Sequence, residues 1–246
     1  MNAMQDKVPK VWPWLILVSR SILFAGFQGL IALVLSSYGT DDLWAESAKW
    51  WVIAIVLSDL VGLGLLIYLY RRSGQRFWAV FHIQKQFIKQ DGWIMLGFLA
   101  AAGVLGMLPN ILSAVWLFGD PQAGLEILVQ PLPAWAVIFA LFSFPILQGI
   151  VEIPTYMLYT QPRLEAQGVK PWISVLLTGF FLSAQHVFAP FLPDARFIIY
   201  RFIMFLPFAF FVALVVRWRP RLMPYIAVIH ALMDLSVAVM LFLVRL

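Results

Sequence analysis

Seven apolar stretches, each long enough to cross a bilayer, dominate this sequence and leave it one class of fold. They run from about Trp14 to Leu35, Ala48 to Tyr70, Trp93 to Phe118, Trp135 to Leu158, Trp172 to Phe188, Phe197 to Val216 and Met223 to Val244. A helix needs about 20 apolar residues to span the hydrocarbon core. The rest of the composition agrees: 63% of the residues are hydrophobic and only 12% are charged, against about 25% charged in a soluble domain. So little polar surface cannot cover a water-soluble sphere. The expected fold is all-α, a polytopic transmembrane helical bundle of about seven spans, with residues 1–246 forming one membrane domain. An eighth short or re-entrant piece is expected near Ile127 to Leu132. Lys7 and Lys10 precede the first stretch as in a signal peptide. That stretch is too long for a signal core and lacks a small-x-small cleavage site, so it is read as a span.

The loops between the stretches alternate in charge. Arg71, Arg72, Arg76, Lys85 and Lys89 lie after the second, Arg163 and Lys170 after the fourth, and Arg217, Arg219 and Arg221 after the sixth. The intervening loops carry Asp41, Asp42, Glu46, Asp120, Glu126 and Asp194, with Lys49 and Arg196 as their clear cations. By the positive-inside rule this places the N-terminus in the cytoplasm and the C-terminus outside. Tryptophans near the span ends (Trp12, Trp14, Trp50, Trp51, Trp93, Trp135, Trp172, Trp218) suit interfacial belts. The net charge of +5 is thereby explained by topology and lipid headgroups, without nucleic acid as a partner. Phe77, Phe81, Ile83 and Phe87 interleave with Arg76, Lys85 and Lys89, as in a helix lying in the cytoplasmic interface. His82, in the same connection, is expected to be solvated. Cysteine is absent, which excludes disulfides, thiol catalysis, iron–sulfur clusters and Cys-ligated zinc.

Ionisable groups at membrane depth are costly and mark functional candidates. Arg20 and Arg201 sit near enough to span ends to be expected to snorkel to the interface. Asp59 falls mid-span, free to pair with Arg20, to bond a neighbouring helix or to stay protonated. Glu152, His186, His230 and Asp234 are harder to dismiss, since they place two carboxylates and two imidazoles on three spans. His230 and Asp234 are four apart, on one helical face. Such a set supports two chemistries. Glu152 can activate a water with the help of His186 while His230 stabilises an oxyanion. Alternatively, the same groups can ligate zinc or another divalent ion that activates the water itself. Measured along straight spans at ~1.5 Å per residue, Glu152 and His230 lie roughly 10 Å from the cytoplasmic ends of their helices. His186 lies about 20 Å from its own.

The stretch Glu152-Ile-Pro-Thr-Tyr-Met-Leu-Tyr-Thr-Gln-Pro-Arg-Leu164 resembles the first motif of the CAAX-protease and bacteriocin-processing (Abi) family of membrane proteases. That motif has paired glutamates, three residues and an arginine, often followed by an aromatic residue and Pro-Arg-Leu. Leu182-Ser-Ala-Gln-His186 resembles the family's Phe-x-x-x-His, and His230-Ala-Leu-Met-Asp234 its His-x-x-x-Asn or Asp. The three lie in the family's order over about residues 135–244. The resemblance implies an intramembrane endopeptidase acting on membrane-associated peptides or proteins, including prenylated tails. It makes Glu152 the water-activating residue and His186 its partner, with His230 and Asp234 stabilising the oxyanion or orienting the groups that do. The sequence departs from the motif where Ile153 replaces the second glutamate, Met157 the arginine and Leu182 the phenylalanine. In a frame shifted by one, Val151 is the first glutamate and Tyr156 the arginine. These departures motivate a second reading, a non-catalytic relative serving as an immunity, scaffold or partner-binding protein. A small proton-linked transporter, in which Arg20 and Asp59 matter as much as Glu152, is a third.

Overall fold

The computed structural model describes residues 9–39 and 41–244; Lys7 lies outside them. The described residues contain no strand and ten α-helices, eight of which make up seven helical segments long and apolar enough to cross a membrane. This is an integral, multi-pass membrane protein. Its helices are α1 (Trp12–Ser36), α2 (Leu43–Lys49), α3 (Trp51–Arg72), α4 (Ile88–Phe118), α5 (Ala123–Leu128), α6 (Ala134–Ile153), α7 (Gln161–Ala166), α8 (Pro171–Gln185), α9 (Ala195–Trp218) and α10 (Met223–Val244).

Local chemistry sets the boundaries. Asp42 accepts from the Ala45 backbone N–H at 3.0 Å and starts α2, and Asp194 accepts from Phe197 N–H at 2.8 Å and starts α9. Gly119, at φ +79°, ends α4 in the left-handed conformation that glycine adopts without a Cβ penalty. Pro171 occupies the first position of α8, where its missing N–H costs nothing.

Packing divides into two groups. α6 contacts α3 on one side and α10 on the other, while α9 contacts α4 and α8. α1 touches both α3 and α8 and so joins the groups. The outer faces are apolar, with Trp93, Leu112, Trp116, Phe142, Leu214 and Leu232 exposed. The interior holds Arg20, Asp59, Gln148, Glu152, Gln185 and Arg201. An apolar exterior over a polar centre is the arrangement a bilayer requires.

Four sequence expectations need correction. The fourth span does not end at Leu158: a π-helical segment, Pro154–Thr160, carries α6 directly into α7. Proline removes the N–H that would continue the α ladder, and the Thr160 side-chain hydroxyl donates to the Thr155 carbonyl at 2.8 Å. The segment Phe77–Lys89 is not one helix. It forms 3-10 turns at Phe77–Phe81 and Lys85–Phe87, separated by extended backbone at His82 and Gln84; His82 is exposed as expected. The extra piece near Ile127 to Leu132 is α5, only six residues long, whose Leu128 carbonyl accepts from Trp51 Nε1 at 2.9 Å. Finally, neither Arg20 nor Arg201 reaches an interface, since they are 1% and 3% exposed.

The basic loops gather at one end. Arg163 reaches Ser73 and Gln75, Arg217 pairs with Glu165, Arg221 pairs with Asp91, and Gln167 bonds Trp14 and the Lys10 carbonyl. At the opposite end, the Phe191 backbone bonds Gln28 and Trp44.

Candidate functional site

Glu152 is the last residue but one of α6 and lies 3% exposed where α6, α8 and α10 converge. Its Oε1 is 3.5 Å from His186 Nε2, and its Oε2 is 3.1 Å from His230 Nε2. The second carboxylate, Asp234, lies one turn along α10 with Oδ2 3.3 Å from the same His230 nitrogen. All four residues singled out from the sequence therefore meet in one place.

The discrepancy in depth between Glu152 and His186 disappears in the folded chain. Because the helix runs on to Ala166, Glu152 lies about 20 Å from its basic end, as His186 does from the start of α8. Leu222 and Met223 at the start of α10 are fully buried in the same apolar cluster as Leu164 of α7, and His230 lies about 10 Å along that helix.

Close helix approach makes the site compact. A Cβ on Gly149 would stand 2.7 Å from the Ala227 carbonyl oxygen and 3.1 Å from Ala231 Cβ. Glycine thus lets α6 lie against α10 one turn from Glu152 and beside His230. A Cβ on Gly179 would meet the Phe210 ring at 2.3 Å, a similar approach of α8 to α9.

The two imidazoles are held differently. His186 Nδ1 is 2.8 Å from the Leu182 carbonyl. A carbonyl only accepts, so Nδ1 carries the proton and the Nε2 of the neutral ring directs a lone pair at Glu152. Two acceptors face each other there, and only a proton or a bridging donor such as water satisfies both. Phe205 stacks on the ring at a 3.6 Å centroid distance and fixes its plane. His230 has Nε2 between two carboxylates and a buried Nδ1 without a hydrogen-bond partner among the described residues. The His186, His230 and Asp234 side chains are 14%, 13% and 16% exposed and Glu152's 5%, so the cluster is reachable from one side.

Around Glu152 lies a polar shell that the four-residue reading did not include. Arg20 on α1 pairs with Asp59 on α3, the first of the options left open for Asp59. It also donates from Nε to Gln185 Oε1 at 2.6 Å and from Nη2 to Gln148 Oε1 at 2.5 Å. Both glutamines turn their Nε2 to Glu152 Oε1, at 2.5 Å from Gln185 and 3.3 Å from Gln148. Tyr156 donates its hydroxyl to Gln185 Oε1 at 3.2 Å. Arg201 donates to the carbonyls of His186 and Ala189 at 3.1 and 2.6 Å, in the turn that follows α8. The sequence did carry one signal for this shell: Gln148 is one turn before Glu152, and Gln185 immediately precedes His186.

A zinc site needs three or four donors about 2.0–2.2 Å from one point. Among the described residues, no three His, Asp or Glu side chains are placed to hold an ion that way, and Glu152 Oε1 already accepts two amide N–H groups.

The positions at which the sequence departs from the motif are apolar core: Ile153 and Met157 are 1% and 2% exposed and share a cluster with Leu17, Tyr156 and Leu182. Comparisons of the chain with protein-family models, with curated proteins and with solved structures find no match.

Proposed function

We propose that this chain is a membrane-embedded endopeptidase that hydrolyses peptide bonds of membrane-associated substrates with a water activated by Glu152. The observation that carries the reading is the carboxylate of Glu152 set between two imidazole nitrogens at 3.1 and 3.5 Å, at membrane depth. Buried side chains of these types are arranged here so that a proton has somewhere to go at every step, which is what general acid–base work needs.

In this reading a water beside Glu152 gives a proton to Oε2 as its oxygen bonds to the substrate carbonyl carbon. The carbonyl electron pair moves onto oxygen. The resulting oxyanion is met by the Nε2–H of His230, with the Asp234 carboxylate 3.3 Å from the same nitrogen to favour a charged ring. The carbon–nitrogen bond then breaks, and the proton on Glu152 passes to the leaving amine. His186, with Nε2 turned inward by its bond to Leu182, helps by accepting from the attacking water. The alternation of basic loops supports, under the positive-inside rule, an N-terminus in the cytoplasm and a C-terminus outside. Membrane lipid and a membrane-anchored peptide or protein are the partners.

The test is processing of a panel of membrane-anchored peptides, prenylated tails included, by wild type and Glu152→Gln in membranes, with bound metal assayed in the same preparations. The expected result is a fall of about 100-fold or more in the variant with no stoichiometric metal. Loss of processing alongside stoichiometric metal would replace the glutamate reading with metal-assisted hydrolysis. Processing that is equal in both proteins, or absent from wild type, would favour the non-catalytic reading, which the apolar core positions of Ile153 and Met157 motivate.

A further inference from the structure

The guanidinium of Arg20 has only donors to offer, and this dictates how two other side chains stand. Its Nε and Nη2 meet Oε1 of Gln185 and of Gln148 at 2.6 and 2.5 Å. An amide whose oxygen is claimed on one side presents its N–H₂ on the other, and both amides present theirs to Glu152 Oε1. Reversing either amide would set N–H₂ against the guanidinium and a carbonyl against the carboxylate. The Tyr156 hydroxyl, donating to Gln185 Oε1, favours the same orientation. Asp59 neutralises the arginine from the far side, so the cluster orients without leaving an uncompensated charge. All of these groups are buried, Arg20 at 1%, Asp59 at 0%, Gln185 at 0% and Gln148 at 4% exposure.

We propose that Arg20 is a positioning residue that acts through Gln148 and Gln185. It fixes a pair of amide donors on Glu152 Oε1, so that this oxygen stays unprotonated and Oε2, facing His230, is the one that exchanges a proton. The significance for catalysis rests on the proteolytic reading of Glu152; the relay itself does not. It assigns the N-terminal half of the chain a function beyond lipid contact, since Arg20 and Asp59 come from α1 and α3. It also supplies, from another helix, a guanidinium 3.9 Å from Glu152 in a sequence whose own first motif carries Met157 at the arginine position.

The experiment uses the full chain, purified and reconstituted, and a hydrophobic carbodiimide, which modifies protonated carboxyl groups. Modification of Glu152 and of Asp234 at neutral pH is followed by peptide mass mapping in wild type, Arg20→Lys, Gln185→Met and the double variant. Lysine keeps the charge but cannot fork to both amides. Each single variant is expected to raise Glu152 modification about tenfold, the scale of one charge-assisted hydrogen bond, with Asp234 unchanged. The double variant is expected to rise no further, because both substitutions break one relay. Wild-type rates at Glu152 in both single variants, multiplying effects in the double, or equal rises at Glu152 and Asp234 would each overturn the proposal. Should Arg20→Lys fail to run as a monodisperse species, Gln148→Met with Gln185→Met carries the same comparison. A wild type that processes no substrate would retire the catalytic reading and leave this comparison intact.

Discussion

A guanidinium out of reach of water must find oxygens for its N–H groups, and Arg20 finds them on three other helices, at Asp59, Gln148 and Gln185. Removing one partner of such a buried pair costs roughly 3–5 kcal/mol, because the remaining charge is left uncompensated. Asp59→Asn is therefore expected to lower stability by about that amount, read as earlier thermal unfolding in detergent. The Arg20→Met and Asp59→Leu double variant should recover part of the loss, since it leaves no unpaired charge behind. Unfolding of Asp59→Asn at the wild-type temperature would show the pair to be dispensable. The sequence made Asp59 and Arg20 conspicuous, because charges in apolar runs are rare, yet it placed Arg20 at an interface. Distance from a span end is readable along one helix, whereas the acceptors that draw a side chain inward belong to others. Glu152, His186, His230 and Asp234 were legible for a different reason: four ionisable or hydrogen-bonding groups on three apolar spans are costly apart and point to a shared polar centre.

Helices as units were mostly visible, and the departures have local causes. The helix continues past Leu158 through Thr160, Gln161, Arg163 and Glu165, residues whose polarity suggests a loop. It stays helical because Thr160 and Leu164 are fully buried against the bundle and because the π-helical turn accommodates Pro154. The approach of α6 to α10 was not legible, since a glycine in an apolar run carries no mark of what it touches. Gly149→Ala should reveal it. The added methyl meets a backbone oxygen at 2.7 Å, which cannot move aside alone, so the helices must separate. A loss of about 1–3 kcal/mol in stability and a fall in processing larger than that of Gly179→Ala are expected. At Gly179 the obstacle is the Phe210 ring, a half-buried side chain that can swing away. Equal processing by Gly149→Ala and wild type would mean that the His230 contact tolerates a wider gap than 3.1 Å.

For the whole molecule, the decisive asymmetry is charge. The connections bearing Arg71, Arg72, Arg76, Lys85, Lys89, Arg163, Arg217 and Arg221 occur after alternate spans, and hydrogen bonds tie the described Arg163, Arg217, Arg221 and Lys10 regions together at one end. Acidic Asp41, Asp42, Asp120 and Asp194 belong to the intervening connections. Under the positive-inside rule the basic end is expected to face the cytoplasm. Glu152 lies about 20 Å from the basic end of its helix, so this orientation decides from which side of the membrane the site is approached. Because the chain has no cysteine, single introduced thiols report on this without background. Gln86→Cys, in the exposed basic connection, should react with an impermeant maleimide in inverted vesicles and stay unmodified in intact cells. Asp41→Cys should do the opposite. Exchange of the two patterns would turn the molecule over and put the approach to Glu152 on the outer side. Labelling of both thiols from one side would instead contradict the odd number of crossings between them and the seven-span count with it.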